Sequence, residues 1–543
     1  MKKFILTSIF YLLLVVILQG QQVPRDQVVI EVGTGTWCQY CPGAAMAIED
    51  LLNNGYNVAA IKYHSGDSYQ TPASIARINY YNITGFPTAW FDGTYNVVGG
   101  SNNQSMYPYY LPYVNQRNSV LSSFTLSISG NCTGLQYNVT IQANKVASYN
   151  QNNLRLHLAL TESHIPEFWQ GQSEVNHAMR IMVPDYNGTL LDFSSQNQQT
   201  VNLTFNADPS WEIQNCELIA FLQNPTTKEI VQGTKIPLMN VLPTLDHDLG
   251  LRSLTNIPAD ACQEWLKPVL VMANYGSQNV QNATLQVKIN EVPFIVNWSG
   301  NLPYLGRDTF ELDTLHFSLA GTNQVIARVL TVNGQPDQNA VNDSLIIQFT
   351  EATQYYKSPV TLVLKTDNNP QETTWELVNS HGEVLYTGGP YQEPNKLFFV
   401  NMNLSPNDCY RFVIHDAGKN GICCSHGSGL YKLVDVNNQT IISGKDFLMS
   451  ESTDFKTGTA TVLLEQDLKQ ELFYTLEQRT LRVYSNNNIP VEVVLFDLSG
   501  KSILSGLLTA GIAEINLQNQ PRGIYILQLV QGTKIKHYKI VLE

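Results

Sequence analysis

The chain is poor in charge. Only 14% of its 543 residues are Asp, Glu, Lys or Arg, and 45 acidic residues outnumber 32 basic ones. The resulting net charge of −13 argues against a nucleic-acid binder, because neutralising phosphates takes clustered Lys and Arg. Low charge does not mean disorder here: 43% of the residues are hydrophobic and 10% aromatic, enough for several cores. Long apolar runs are missing after residue 18, so no later segment supplies the ~20 residues of a membrane-crossing helix. Cysteine is sparse, at eight residues, which excludes a scaffold held mainly by disulfides. His-Glu-x-x-His, Gly-x-Ser-x-Gly and the phosphate-binding loop Gly-x-x-x-x-Gly-Lys-Ser/Thr are absent, and Gly33-Thr34-Gly35 lacks the third glycine of a dinucleotide loop.

What is present starts at the N-terminus. Met1-Lys2-Lys3 is a basic start, residues 4–18 are almost unbroken apolar chain, and Gln19-Gly20-Gln21-Gln22 follows. Residues 1–20 read as a secretory signal peptide. Export makes Cys38, Cys41, Cys132, Cys216, Cys262, Cys409, Cys423 and Cys424 candidates for disulfides.

Five folded segments are expected after the signal. In 21–118 the pattern is strand, helix, strand, helix and a hairpin turning at Asp92-Gly93, a mixed α/β layer. From 119 to 245 the period becomes two, as in Leu154, Leu156, Leu158 and Leu160, which indicates a β-sandwich. Segments 246–352, 353–466 and 467–543 repeat the β pattern, the fourth carrying three cysteines. The fold class is therefore multidomain: an α/β unit followed by several antiparallel β-sandwiches.

The sharpest chemical signal is Cys38-Gln39-Tyr40-Cys41 at the start of the first helix. A sulfur facing the unpaired amides of a helix N-terminus favours thiolate, and the second sulfur one turn on can form or break a disulfide with it. A closed structural disulfide and half a zinc site are the other readings; zinc would need a second close pair, and none stands near by. The segment resembles the thioredoxin superfamily, in the form carried by secreted and outer-membrane proteins of Bacteroidota. Gly35-Thr36-Trp37-Cys38-Gln39-Tyr40-Cys41-Pro42 is similar to that group's redox motif, and Gly85-Phe86-Pro87-Thr88 to its proline loop. The resemblance implies Cys38 as nucleophile, Cys41 as resolving thiol, a cis Pro87 beside them, and Trp37 and Phe86 as substrate-binding residues. It also places Val32 where the family carries a buried acid; Glu31 is adjacent but faces the other side of a regular strand.

The second segment resembles the β domain that often follows such a unit, with an insert at Thr161-Glu162-Ser163-His164-Ile165-Pro166 and Val175-Asn176-His177-Ala178. Cys132 and Cys216 are expected to bridge two of its strands. His164, Glu167, Glu174 and His177 match no standard metal-ligand spacing and read as a polar loop. The third segment is similar to Ig-like adhesive modules. The fourth, with Cys409-Tyr410-Arg411 and Asn420-Gly421-Ile422-Cys423-Cys424, resembles a secreted bacterial β module. That likeness implies a staple from Cys409 to Cys423 or Cys424, with Cys262 open to the remaining cysteine. Calcium near Asp416 is the lesser alternative, weakened by Asn420 and Lys419; no other metal or cofactor is implied.

The last segment resembles the C-terminal sorting domain of the type IX secretion system, through Val493-Val494-Leu495-Phe496-Asp497, Gly523-Ile524-Tyr525-Ile526-Leu527 and Lys539-Ile540-Val541. It departs from that family at Tyr484-Ser485-Asn486-Asn487. The resemblance implies the secretion machinery as partner and the surface or exterior of a Gram-negative cell as destination. Two functional classes follow: an exported thiol–disulfide oxidoreductase acting on protein thiols or disulfides, and a non-catalytic surface adhesin that binds an extracellular ligand and keeps the thioredoxin fold as scaffold.

Overall fold

β1 (Val28–Thr34) and β2 (Val58–His64) lie parallel, in register from Val28↔Val58 to Thr34↔His64. Both are buried at every position, as expected for parallel strands covered on two faces. α1 (Cys41–Asn53) carries Pro42 in its first turn, where a missing N–H breaks no helical bond. It packs Ala44, Ala47, Ile48 and Leu51 on Val28, Ile30 and Val32. α2 (Pro72–Tyr80) is capped by reciprocal Thr71–Ser74 hydrogen bonds and covers the opposite face, where Ile78 joins Val29, Ala59, Ile61 and Tyr63. β3 (Thr88–Phe91) runs antiparallel to β1 and forms a hairpin with β4 (Tyr95–Val98). α3 (Tyr107–Asn118) packs beside α1; its internal Pro112 hides the helix from pattern reading.

The structure is a computed structural model that describes residues 20–424, 426–458, 472–477, 479–485, 490–497, 501–508, 511–518, 520–531 and 534–542. The signal-peptide reading of residues 1–19 lies outside them, as do Asn486 and Asn487.

Beyond α3 the chain runs through β5 (Phe124–Thr133), β6 (Gln136–Lys145), β7 (Asn153–Glu162), β8 (Ile165–Trp169), β9 (Gln172–Val175), β10 (Ala178–Val183), β11 (Thr189–Asp192), β12 (Gln198–Asn206), β13 (Cys216–Gln223) and β14 (Ile230–Pro237). The first unit does not close on itself. Its sheet continues as β14-β13-β7-β10-β2-β1-β3-β4, with β11 on β7, so a division at 118/119 separates strands of one sheet. The junction is the parallel β10–β2 pairing at Ala178↔Lys62, where the Lys62 amide donates to the His177 carbonyl at 2.9 Å. β5, β6 and β12 form a second sheet facing this extension, with Leu154, Leu156, Leu158, Leu160, Tyr137 and Ile141 in one core. The alternating leucines of β7 therefore face the second sheet as expected, while Ala159 between them packs on the α2 side.

The remaining segments are β-sheet modules. Sheets built on Val269–Asn274 and on Val280–Ile289 bury Met272, Leu285 and Val287 together. Sheets built on Cys409–Asp416 and on Val360–Lys365 bury Phe412, Trp375 and Leu362. In the last segment Val491–Phe496 and Gly523–Gln531 bury Val493, Leu495, Leu527 and Leu529.

The cysteine pairing corrects two expectations. Cys132 and Cys216 are free and buried, on strands of different sheets; each thiol sits against a nearby carbonyl, Val241 O at 3.3 Å and Glu212 O at 3.4 Å. Cys409 is bonded to Cys262, not to the adjacent pair, and Cys423 is bonded to Cys424. The reason lies in how the third and fourth segments dock. Asp454 accepts from the backbone amides of Cys262 and Gln263 at 2.9 Å each and binds Arg411 at 2.6 Å. Arg411 in turn lies over the Trp265 ring at 4.1 Å.

Candidate functional site

The turn before α1 is fixed from several sides. The Cys38 amide donates to Gly35 O at 3.1 Å, the Thr36 amide to Asp67 at 2.8 Å, and the Trp37 indole to Ser65 O at 2.7 Å. A Cβ on Gly35 would sit 2.6 Å from the Trp37 indole nitrogen, so the position takes only glycine. The result presents Cys38 and Cys41 at the opening of α1 with Cα atoms 5.4 Å apart, joined as a disulfide.

The proline loop meets them. The Phe86–Pro87 bond is cis, Phe86 packs in the cluster of Cys38 and Cys41, and its ring meets Trp37 edge-on at 5.7 Å. A Cβ on Gly100 would lie 2.2 Å from Tyr40 O and 2.8 Å from Pro87 Cγ, which sets Pro87 against the cysteine turn. Trp37 and Tyr40, which flank the cysteines in the turn itself, stay about half exposed (53% and 50%).

The cysteines themselves are covered: Cys38 is 4% exposed and Cys41 1%. Their cover is the β8–β9 hairpin, whose Trp169, Ile165 and Val175 pack in the cysteine cluster beside Tyr69. Few polar contacts tether it from outside: Gln170 donates to Trp37 O at 3.2 Å and Tyr69 donates to Glu167 at 2.6 Å. The sequence marks this segment as an insert, but nothing local in it says that it folds back over the motif.

Glu31 faces away from the cysteines, as strand alternation requires. It is buried under α2 and accepts from Tyr63 at 2.7 Å, from Tyr81 at 2.5 Å and from Arg77 Nε at 3.0 Å. Val32 lies in the α1 core, so the acid that the family places there has no counterpart at that position. Lys62 is a charged group that sequence reasoning missed. β2 carries it buried into a cavity of about 260 Å³ lined by Ala45, Glu49, Trp169 and Glu174. Burial pushes its ammonium down to about 8, against the pull of Glu49 and Glu174. Its signal was a lone lysine inside the strand run Ala59-Ala60-Ile61-Lys62-Tyr63.

The expected polar loop is a set of separate pairs. His164 binds Glu174 at 3.1 Å, His177 lies 3.2 Å from Glu49, and Glu167 accepts from Tyr69. Among the described residues, the one group of three His, Cys, Asp or Glu ligand atoms within 4.8 Å of one another is Cys262, Cys409 and Asp454, where both sulfurs are already in a disulfide. Among the described residues Asp416 belongs to no such group, and its Oδ2 accepts the Asn420 amide at 2.9 Å.

Two comparisons bear on this arrangement. Residues 75–239 match the family described as outer membrane protein Omp28, and residues 477–543 match the secretion system C-terminal sorting domain. The chain carries an Omp28 region and a secretion-system sorting tail. The Omp28 match starts after the cysteine motif, spans the proline loop, the covering hairpin and β14, and runs across residue 118 just as the shared sheet does. The sorting tail makes the protein a secreted or cell-surface one and implies contact with the secretion machinery. No described helix is long and apolar enough to cross a membrane. Among solved structures, HBP35 of Porphyromonas gingivalis is 17% identical with a TM-score of 0.38, over 61% of this chain and 99% of that one. The CARDB domain of a Pyrococcus furiosus protein, in complex with di-metal ions, is 16% identical with a TM-score of 0.18, over 20% of this chain and 96% of that one. Likenesses this distant add nothing to the functional reading. No curated protein matches the chain.

Proposed function

We propose that this Omp28-type surface protein carries out thiol–disulfide exchange through Cys38 and Cys41. The observation that carries the reading is the meeting of the pair with the Phe86–Pro87 loop at the opening of α1, beside the exposed rings of Trp37 and Tyr40. After reduction by a dithiol donor, the Cys38 thiolate attacks a substrate disulfide and releases one substrate thiolate. Cys41 then attacks Cys38, which frees the second substrate thiol and restores the Cys38–Cys41 disulfide. The exposed rings of Trp37 and Tyr40 suit an extended peptide around a half-cystine. The hairpin has to swing aside for such a substrate, and its few outside tethers make that motion cheap. The later β modules are read as Ig-like spacers that hold this site away from the sorting tail.

The test is reduction of a disulfide-bonded protein by the full chain with a dithiol donor. Activity that disappears in Cys38→Ser supports the reading, and equal rates for the two chains contradict it. A second reading, a non-catalytic surface binder, is favoured by the nearly complete cover over both sulfurs and by the apolar Val32. It gains if the Cys38–Cys41 pair resists strong reductant in the folded protein.

A further inference from the structure

β8 is the neighbour of two disulfides. Trp169 and Ile165 on it pack with Cys38 and Cys41. The Cys423–Cys424 strand of the fourth segment, paired with Gly427–Ser428, also comes within 8 Å of β8, Cα to Cα. The two sites lie almost 400 residues apart in the chain, and the fold brings them to one hairpin. The Cys423–Cys424 loop is anchored within its own segment and to the third one. Lys419 Nζ donates to Thr309 O of the third segment at 2.8 Å, the Asn368 amide to His426 O at 2.8 Å, and the Gly429 amide to Ile422 O at 2.8 Å. The two sulfurs of the loop differ in access: Cys423 is buried and Cys424 exposed.

We propose that Cys423–Cys424 is an internal exchange partner of Cys38–Cys41, the two pairs passing one disulfide between them within a single chain. The proposal rests on the reading of Cys38 as a nucleophile. An external dithiol first reduces Cys38–Cys41 and is itself oxidised to a disulfide. With the hairpin swung aside, the Cys38 thiolate attacks Cys424 Sγ, the accessible sulfur; the Cys423–Cys424 bond breaks, and Cys423 leaves as a thiolate that takes up a proton. The Cys41 thiolate then attacks Cys38 Sγ, breaks the mixed disulfide and releases Cys424 as a thiol. The net change is an oxidised Cys38–Cys41 and a reduced Cys423/Cys424 pair, two electrons having moved. This route gives a covered pair an outlet: Cys424 faces solvent and delivers the electrons to disulfides of other surface proteins, and Trp169 covers Cys38 again once the hairpin closes.

The experiment uses the full chain as Cys41→Ala, in which Cys38 cannot be resolved, with Cys41→Ser as a second variant in case one misfolds. Proteolysis and mass spectrometry after acid quenching should find Cys38 joined to Cys424 and Cys423 free, in a yield that does not change on tenfold dilution. A cross-link that falls on dilution is intermolecular and overturns the proposal. If Cys423–Cys424 stays intact while added glutathione disulfide captures Cys38, the internal transfer is overturned and the exchange reading stands. If glutathione disulfide does not capture Cys38 either, both fail together.

Discussion

Trp169 covers Cys38 and Cys41 while its own indole N–H is satisfied inside the hairpin, by Glu174 O at 2.8 Å. Removing its ring leaves one carbonyl, Glu174 O in the same hairpin, without its donor. Trp169→Ala is expected to speed reduction of Cys38–Cys41 by a small dithiol about tenfold, the equivalent of ~1.4 kcal/mol less cover to displace; timed alkylation reads the rate, and an unchanged rate would show that the hairpin is no barrier. Lys62 gives a pH signature. Its buried ammonium titrates at about 8 against an ordinary 10.5, so between those values the unfolded chain binds one more proton than the folded one. Stability therefore rises with pH across that window, and below it the full cost of burying the charge is present. Lys62→Met is expected to gain up to about 3 kcal/mol at pH 7 and to flatten the rise, read as urea midpoints at pH 7 and 10. The cysteine motif was legible because its meaning is local: two sulfurs, one helix start and a proline loop. Lys62 was not, because a lysine in an apolar strand acquires its environment only when α1 and the hairpin close over it.

At the scale of elements, the Glu31 cluster ties β1 to α2. Arg77 gives both Nε and Nη2 to the Glu31 carboxylate, and the Tyr63 and Tyr81 hydroxyls complete its shell, all of them buried. Glu31→Gln keeps the size and leaves Arg77 as an uncompensated buried charge. It is expected to lose about 3–5 kcal/mol of stability by chemical denaturation while the Cys38–Cys41 disulfide remains; a loss below ~1 kcal/mol would mean that Arg77 finds another partner or water. Strand alternation read from sequence put Glu31 on the face away from the cysteines, and that is where it lies. The same reading missed α3, since Pro108 and Pro112 in a Tyr-rich stretch break the usual helical signal. It also missed the hairpin's position, which long-range packing on Tyr69 and the cysteines decides.

For the whole molecule, the main lesson is how the segments join. Period-two patterning indicates how many strands there are but not which sheet each enters, and β10 reaches β2 through one paired position. A fragment of residues 21–118 exposes the full edge of β2 and is expected to lack a cooperative thermal transition, whereas 21–245 should melt as one unit; a sharp melt of the shorter piece would show that the shared sheet is not needed. Cysteine pairing was illegible for a related reason. Cys262 and Cys409 meet because Asp454 and Arg411 lock two segments together, and no spacing rule carries that information. The sorting tail, by contrast, was readable from its own strands, and the match over residues 477–543 agrees.

The redox state of Cys38–Cys41, followed in the full chain across a series of glutathione buffers with acid-quenched alkylation, tests the central claim most directly. A reversible two-electron transition, with reduction and reoxidation tracing one curve, is the predicted result. A pair that stays oxidised in excess dithiothreitol while the protein remains folded would contradict it and leave the domain as a scaffold.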